Sequence, residues 1–227
     1  MKNLRDAEKL AKEMISIGKL AGRETVCVLT NMDEPLGNNV GNSLEVKEAI
    51  EALNGSIAED VRKVVLELGS YMLVLAGITN ELKKAKEMLN ENLQNGKAYN
   101  KFMELVKMQG GDVTYLSDLE NFEESQYIEP IYSEKTGYIY SIDAKDIGKL
   151  ACSLGAGRVR KEDKIDPSVG VVLLKKIGDY VRKDEEIAYL HINNPEQLDS
   201  AKENIKNIIK IRKEKVEPLK TIIKIIK

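Results

Sequence analysis

The stretch Pro35-Leu36-Gly37-Asn38-Asn39-Val40-Gly41-Asn42-Ser43 is where the residue types of this chain point most directly to chemistry. It follows a short apolar run, Thr25–Thr30, and enters a helix, the position at which open α/β sheets gather ligands. Glycines let backbone N–H groups approach an anion at a helix N-terminus, so one reading is a phosphate cradle. The lysine and the spacing of a P-loop are missing, which counts against it. The opposite reading is a hard cation held by loop carbonyl oxygens and one carboxylate. Glu45 and Glu48, three residues apart on one helical face, would supply the carboxylate. A capped turn with no ligand is the plainer alternative.

The other candidates are weaker. Leu154-Gly155-Ala156-Gly157-Arg158, followed by the charged run Arg160-Lys161-Glu162-Asp163, has the glycines of a phosphate loop, but it follows a helix and reads as a C-cap. The one histidine, His191, ends a strand and is expected at the surface or partly buried, not in catalysis. No His-rich metal centre can form from it, and Cys27 and Cys152 read as small apolar residues. Gly178–Ile187, paired with Gly137–Ile139, resembles the hairpins of lipoyl- and biotinyl-type sandwich domains. Lys175-Lys176 lacks the setting of a carrier lysine there, so a plain β-sandwich scaffold is expected.

These residues must be positioned by a chain of 227 residues with 42% hydrophobic and 32% charged content, enough for one large domain or two small ones. The net charge of −2 gives no global pull toward nucleic acid or anionic membrane. No Trp and two Phe leave few stacking platforms, and no apolar run approaches the ~20 residues of a spanning helix. Nucleic-acid and membrane partners are therefore not expected, and two cysteines fit a cytoplasmic chain. Residues 201–227 carry nine Lys and Arg against three Glu, read as a basic helix and tail with a solvated face.

Hydrophobic spacing predicts a helix over Leu4–Leu20 and then one strand, Thr25–Thr30, apolar on both faces as in a buried parallel sheet. Such a strand needs neighbours on both edges, and none is evident before residue 110. Asn42 as N-cap with Glu45 completes a capping-box pattern for a helix through Leu53. Further helices are predicted over about Ala58–Ala76, Asn80–Gln94 and Lys97–Met108. An acidic, loop-like stretch from 112 to Tyr127 marks a boundary near residue 120. Beyond it, short strands (Ile128–Tyr132, Gly137–Ile142, Gly170–Leu174, Tyr180–Val181, Ile187–Ile192) alternate with helices at Ala144–Leu154 and Pro195 to about Ile211, the latter capped by Asn194. The expected class is α/β over 1–120 followed by α+β over 121–227.

Pro35-Leu36-Gly37…Val40-Gly41-Asn42-Ser43-Leu44-Glu45-Val46-Lys47-Glu48-Ala49 resembles the loop-helix signature of pyrimidine-nucleoside and thymidine phosphorylases. The likeness continues through Leu68-Gly69-Ser70…Met72, Gln109-Gly110-Gly111-Asp112, Leu154-Gly155-Ala156-Gly157-Arg158…Lys161-Glu162-Asp163 and Val169-Gly170…Lys175-Lys176-Ile177-Gly178-Asp179. It covers the chain in order but matches only the C-terminal part of the family. It implies a partial, mostly helical α/β domain of glycosyltransferase type, then a small C-terminal hammerhead-like sandwich domain.

The activity implied is pentosyl transfer. Phosphate attacks the anomeric carbon of a pyrimidine nucleoside, releasing free base and pentose 1-phosphate, in a cleft of what is usually a homodimer. The family's glycine-rich phosphate loops, its Ser-Gly-Arg-Gly motif and its base- and sugar-contacting residues belong to an N-terminal half not found in this sequence. No catalytic residue is therefore assigned, and the isolated chain is expected to be inactive, with the N-terminal half as its polypeptide partner. Met1-Lys2 falls on an internal Met-Lys of the family pattern, as in a fragment, a truncated frame or one piece of a split enzyme. The resemblance also implies a potassium ion held by carbonyl oxygens of Leu36 and Asn39 and the carboxylate of Glu48, Asn39 standing where alanine is more usual. A non-catalytic interaction module is the rival reading, and a phosphorylase or phosphoribosyltransferase for another base is a third.

Overall fold

The computed structural model describes residues 3–158 and 160–227; the Met1-Lys2 match lies outside them. In chain order the elements begin with α1 (Leu4–Leu20), β1 (Cys27–Thr30), β2 (Asn39–Val40), α2 (Asn42–Leu53) and α3 (Glu59–Leu75). Next come α4 (Leu82–Gln94), α5 (Lys97–Met108), the short α6 (Val113–Leu116), β3 (Tyr127–Tyr132), β4 (Gly137–Ile142) and α7 (Ala144–Ala151). The last are β5 (Gly170–Leu173), β6 (Tyr180–Val181), β7 (Glu186–Ile192), α8 (Leu198–Ile208), β8 (Ile209–Arg212) and β9 (Ile222–Ile226). Two compact units emerge. One comprises the residues up to Asn31, Glu59–Asn95 and Lys220–Lys227, and the other Met32–Ala58 and Gly96–Leu219. No helix among the described residues is long and apolar enough to cross a membrane.

In the first unit, α1 starts where Asn3 accepts the Asp6 N–H through its side chain at 2.9 Å, satisfying one of the orphan donors of a helix start. Its Ala11 side is buried, and the helix packs on β1 and β9. The expected parallel strand is instead antiparallel and only partly buried. β1 pairs with β9 from Cys27↔Ile226 to Thr30↔Ile222, and Asn31 N–H extends the pairing to Thr221 O at 2.8 Å. The tail read as a solvated basic segment supplies that partner, because Ile222-Ile223-Lys224-Ile225-Ile226 is dominated by β-branched side chains that favour a pleated surface. This sheet has two strands, so the second edge of β1 has no strand beside it among the described residues. Helices α3 and α4 pack together through Gly69, where an added Cβ would lie 2.8 Å from Leu89 Cδ1.

The second unit holds a four-stranded antiparallel sheet ordered β2-β5-β7-β3 and a three-stranded sheet ordered β6-β4-β8. Ala188, Leu190 and Ile192 of β7 alternate inward, as a period of two demands, and meet Val171, Leu173, Ile131, Ile139 and Ile142 in one buried cluster. Helices α7 and α8 close it with Ile147, Leu150, Ala201 and Ile205. The helix expected to reach Ile211 stops at Ile208. Its C-cap Ile209 is extended, and Ile209–Arg212 pairs with β4 as β8. The helix expected through Leu154 ends at Ala151 and widens into a turn over Cys152–Ala156 that Gly155 closes at φ +116°. The stretch after 112, expected as loop, contains α6, capped by Asp112 accepting the Thr114 N–H at 2.8 Å.

Candidate functional site

The loop from Asp33 to Asn42 lies wholly in the second unit, and its middle residues form β2, an edge strand on β5. Gly41 and Gly170 meet backbone to backbone there: a Cβ on Gly170 would stand 2.3 Å from Val40 O, and one on Gly41 2.5 Å from Val169 O. Sequence spacing made Asn42 the N-cap of α2, but the cap is Gly41. The Asn42 amide instead donates to Ala156 O at 2.8 Å, joining α2 to the turn after α7.

Glu48 is the organising carboxylate. It projects from the second turn of α2 and accepts two backbone N–H groups of the loop, Asn38 at 2.7 Å and Asn39 at 3.2 Å. Gly37 makes that approach feasible: its φ is +73°, and a Cβ would lie 2.7 Å from Glu48 Oε2. Leu173 N–H bonds Asn38 O at 2.8 Å, so the pair Asn39–Val172 is a non-hydrogen-bonded pair of the ladder. The N–H and C=O of Asn39 therefore both point off the outer edge of β2, on the side where Glu48 takes the N–H. The Asn39 side chain is occupied locally, its Nδ2 donating to Leu44 O at 3.0 Å. The side chain of Leu36 is half exposed.

The opposite charge comes from a lysine far along the chain. Lys176 Nζ, between β5 and β6, donates to Pro35 O and Gly37 O, each at 2.5 Å. Glu34 is tied to the same segment by accepting the Ile177 N–H at 3.0 Å. The loop is thus gripped by a carboxylate on its N–H side and by an ammonium on its C=O side. At the helix start, Glu45 Oε1 accepts the Gly41 N–H at 3.2 Å and Ser43 N–H bonds Pro167 O at 2.9 Å. A carboxylate already at the helix N-terminus repels a second anion, which counts against the phosphate-cradle reading. The carbonyls of Pro35 and Gly37 meet the single positive charge of Lys176, while the Glu48 carboxylate meets the N–H groups of Asn38 and Asn39.

The structure brings Leu36, Asn39 and Glu48 into one loop-helix unit. Lys176 stands out in the sequence as a lysine without a carrier's setting and as part of the family likeness; its contact with a loop about 140 positions earlier leaves no local signal. Its neighbour Lys175 pairs with Glu185 at 2.6 Å. The glycines at 155 and 157 close a helix, as expected. His191 is half-buried on β7 with Nδ1 3.3 Å from Ser125 Oγ, and burial, then the Lys47 charge, push its pKa down against a smaller pull from Glu124. Asp166 is desolvated, which alone would raise it, but hydrogen bonds from Ser168 and Asn193 outweigh burial and hold it below the usual carboxylate value. Both cysteines are free and partly buried, Cys27 with Sγ 3.6 Å from Ala11 O. Among the described residues no three His, Cys, Asp or Glu side chains group as a metal-binding cluster.

Two family models match this chain: "Glycosyl transferase family, a/b domain" over residues 1–99 and "Pyrimidine nucleoside phosphorylase C-terminal domain" over residues 138–212. The chain belongs to the pyrimidine-nucleoside phosphorylase family. It is 42% identical over 217 residues to the pyrimidine-nucleoside phosphorylase of Staphylococcus haemolyticus, covering 96% of this chain and 48% of that protein. It is 44% identical over 196 residues to that of Staphylococcus epidermidis (86% and 45%) and 40% identical over 218 residues to that of Staphylococcus aureus (96% and 50%). The chain matches the C-terminal portion and spans about half the length of these curated relatives. The family match accords with the observed mixture of helices and small sheets.

Proposed function

We propose that this chain supplies the C-terminal half of a pyrimidine-nucleoside phosphorylase. In that reaction a phosphate oxygen bonds to the anomeric carbon as the carbon–nitrogen bond breaks, and the departing pyrimidine takes the electron pair. The observation that carries the reading is coverage: nearly all of this chain aligns with relatives bearing that name, yet it accounts for about half of each. Groups that hold phosphate against the sugar and stabilise charge on the base give such transfers their rate, and the motifs that would supply them are not in these 227 residues. The chain alone is therefore catalytically silent, acting in the cytoplasm with an N-terminal half as partner in a family-type homodimer. The segments 1–120 and 121–227 correspond to its partial α/β and C-terminal domains.

Potassium is the cofactor in this reading. The carbonyl oxygens of Leu36 and Asn39 and the carboxylate of Glu48 would hold it, and the ion would fix the loop against the phosphate-bearing half. Glu48 accepts two N–H groups and retains lone-pair capacity for an ion, since a carboxylate offers about four acceptor sites. With part of its ligand shell outside this chain, potassium binds weakly here.

The test is phosphorolysis of uridine and thymidine by the pure chain, alone and with an N-terminal half added. Release of base only in the mixture is expected; turnover by the lone chain refutes the proposal. A chain that binds a partner without gaining turnover in any combination would instead be an interaction module.

A further inference from the structure

The first unit carries apolar stripes that its own elements leave uncovered. On α3, Val65, Leu68, Met72 and Leu75 recur at three- and four-residue spacing, and all four are exposed, Met72 to 70%. That spacing places them along one side of the helix, while Ser70 is buried on the opposite side and Gly69 packs on Leu89 of α4. On α1, Leu10, Met14 and Ile17 form a second exposed line, with Ile17 at 65%, whereas Ala11 is buried. Single exposed apolar residues are ordinary on a soluble protein; periodic stripes mark a surface made to be covered. In the same unit the second edge of β1 has no strand beside it among the described residues. The buried cluster of the chain contains no residue of this unit.

We infer that the α3 stripe Val65-Leu68-Met72-Leu75, with the α1 line and the open edge of β1, is the docking surface for the polypeptide that makes up the remaining half of the family's relatives. The inference rests on reading this chain as half of such a phosphorylase. The occupant follows from two observations together. The matched α/β family model, residues 1–99, takes in all three helices of this unit, and roughly half of each relative's length is unaccounted for by this chain. The helix stripes occur in this unit, whereas the other unit closes its own core.

The experiment mixes the full 227-residue chain with the separately purified N-terminal half of the Staphylococcus epidermidis relative. Their Kd is measured by calorimetry, and uridine phosphorolysis is assayed in the same mixtures. Met72→Glu and Leu68→Glu change exposed side chains, so their melting temperatures should match the wild type. Each should weaken binding at least tenfold, while Met108→Glu, an equally exposed methionine of the other unit, should leave the Kd unchanged. Equal binding by wild type and both stripe variants overturns the docking surface even if activity is restored, and the phosphorylase reading then stands alone. Stripe-dependent binding without phosphorolysis keeps the surface and sinks that reading. Absence of binding, or a concentration-dependent dimer of this chain abolished by Met72→Glu, overturns the inference, the latter in favour of a second copy.

Discussion

The two units of this chain bury their apolar residues in contrasting ways. The second unit sets Ile131, Ile139, Ile142, Ile147, Leu173, Leu190, Ile192 and Ile205 out of reach of solvent, beneath two sheets and two helices. In the first, the residues removed from water are few and mostly small or polar: Ala11, Leu29, Ser70, Tyr71, Thr79 and Ala85. Its large apolar side chains line up on the outside. Core burial is the dominant favourable contribution to folding, so a unit that leaves whole helix stripes exposed draws little stability from its own contacts. The candidate cation loop belongs to the self-sufficient unit, which can hold it in shape before any partner arrives.

The largest effect should come from testing that contrast directly. Leu190→Ala, at the centre of the closed core, should lower unfolding free energy by about 3 kcal/mol through lost burial and a residual cavity. Met72→Ala, on the exposed stripe, should change it by less than about 0.5 kcal/mol. Urea unfolding followed by circular dichroism reads both. Similar losses for the two variants would erase the distinction between the units. Once a partner is bound, the Met72 substitution should become costly while the Leu190 value barely moves.

A smaller effect is expected where the loop meets the sheet. Gly170→Ala would drive a Cβ to 2.3 Å from Val40 O, a backbone atom with no room to yield, and should cost about 2 kcal/mol while detaching β2 from β5. Hydrogen exchange separates this from general destabilisation. The Leu173 N–H bonded to Asn38 O should lose protection before the β5–β7 amides do. Uniform loss across the sheet would mean that β2 is not a separable edge.

Much of this was legible in the sequence, and the failures have physical causes. The helices announced themselves by spacing, and Asn194 accepts a backbone N–H as a cap residue should, whereas the cap expected at Asn42 falls on Gly41. The loop was visible through its turn formers and the Glu45-Glu48 pair. The strands β8 and β9 were not, because isoleucines interleaved with lysines fit a basic amphipathic helix as well as a half-buried strand, and tertiary pairing decided between them. Lys176 could not be found because its partners lie about 140 residues away, and the Gly41–Gly170 contact joins equally remote positions.

Next in size is the grip on the loop itself. Lys176→Met removes the ammonium that faces Pro35 O and Gly37 O, and Glu48→Gln neutralises the acceptor of the Asn38 and Asn39 N–H groups. Both sites are partly solvated, so each substitution should cost about 1 kcal/mol. They should differ in their ion response. If Glu48 also faces potassium, Glu48→Gln abolishes the residual thallium or potassium signal in NMR titrations, whereas Lys176→Met retains or strengthens it. Identical ion responses from the two variants would separate the grip from the cation site.

The smallest expected effect concerns how the self-sufficient unit treats its polar groups. His191 is held below its ordinary pKa first by burial, then by the charge of Lys47, with Glu124 opposing. An unfolded chain would titrate it near 6.5, so between that value and the lower folded one the unfolded state binds the extra proton. Stability is therefore fully present above about pH 6.5 and declines as pH falls toward the folded value, below which this contribution is spent. Because the sequence has one histidine, a single imidazole resonance reports the folded titration without assignment work. His191→Gln should remove its share of the acid slope, and Lys47→Met should move the resonance midpoint upward. A midpoint at or above 6.5 would show that the β7 environment is wetter than its packing implies, and would narrow the difference between the two units.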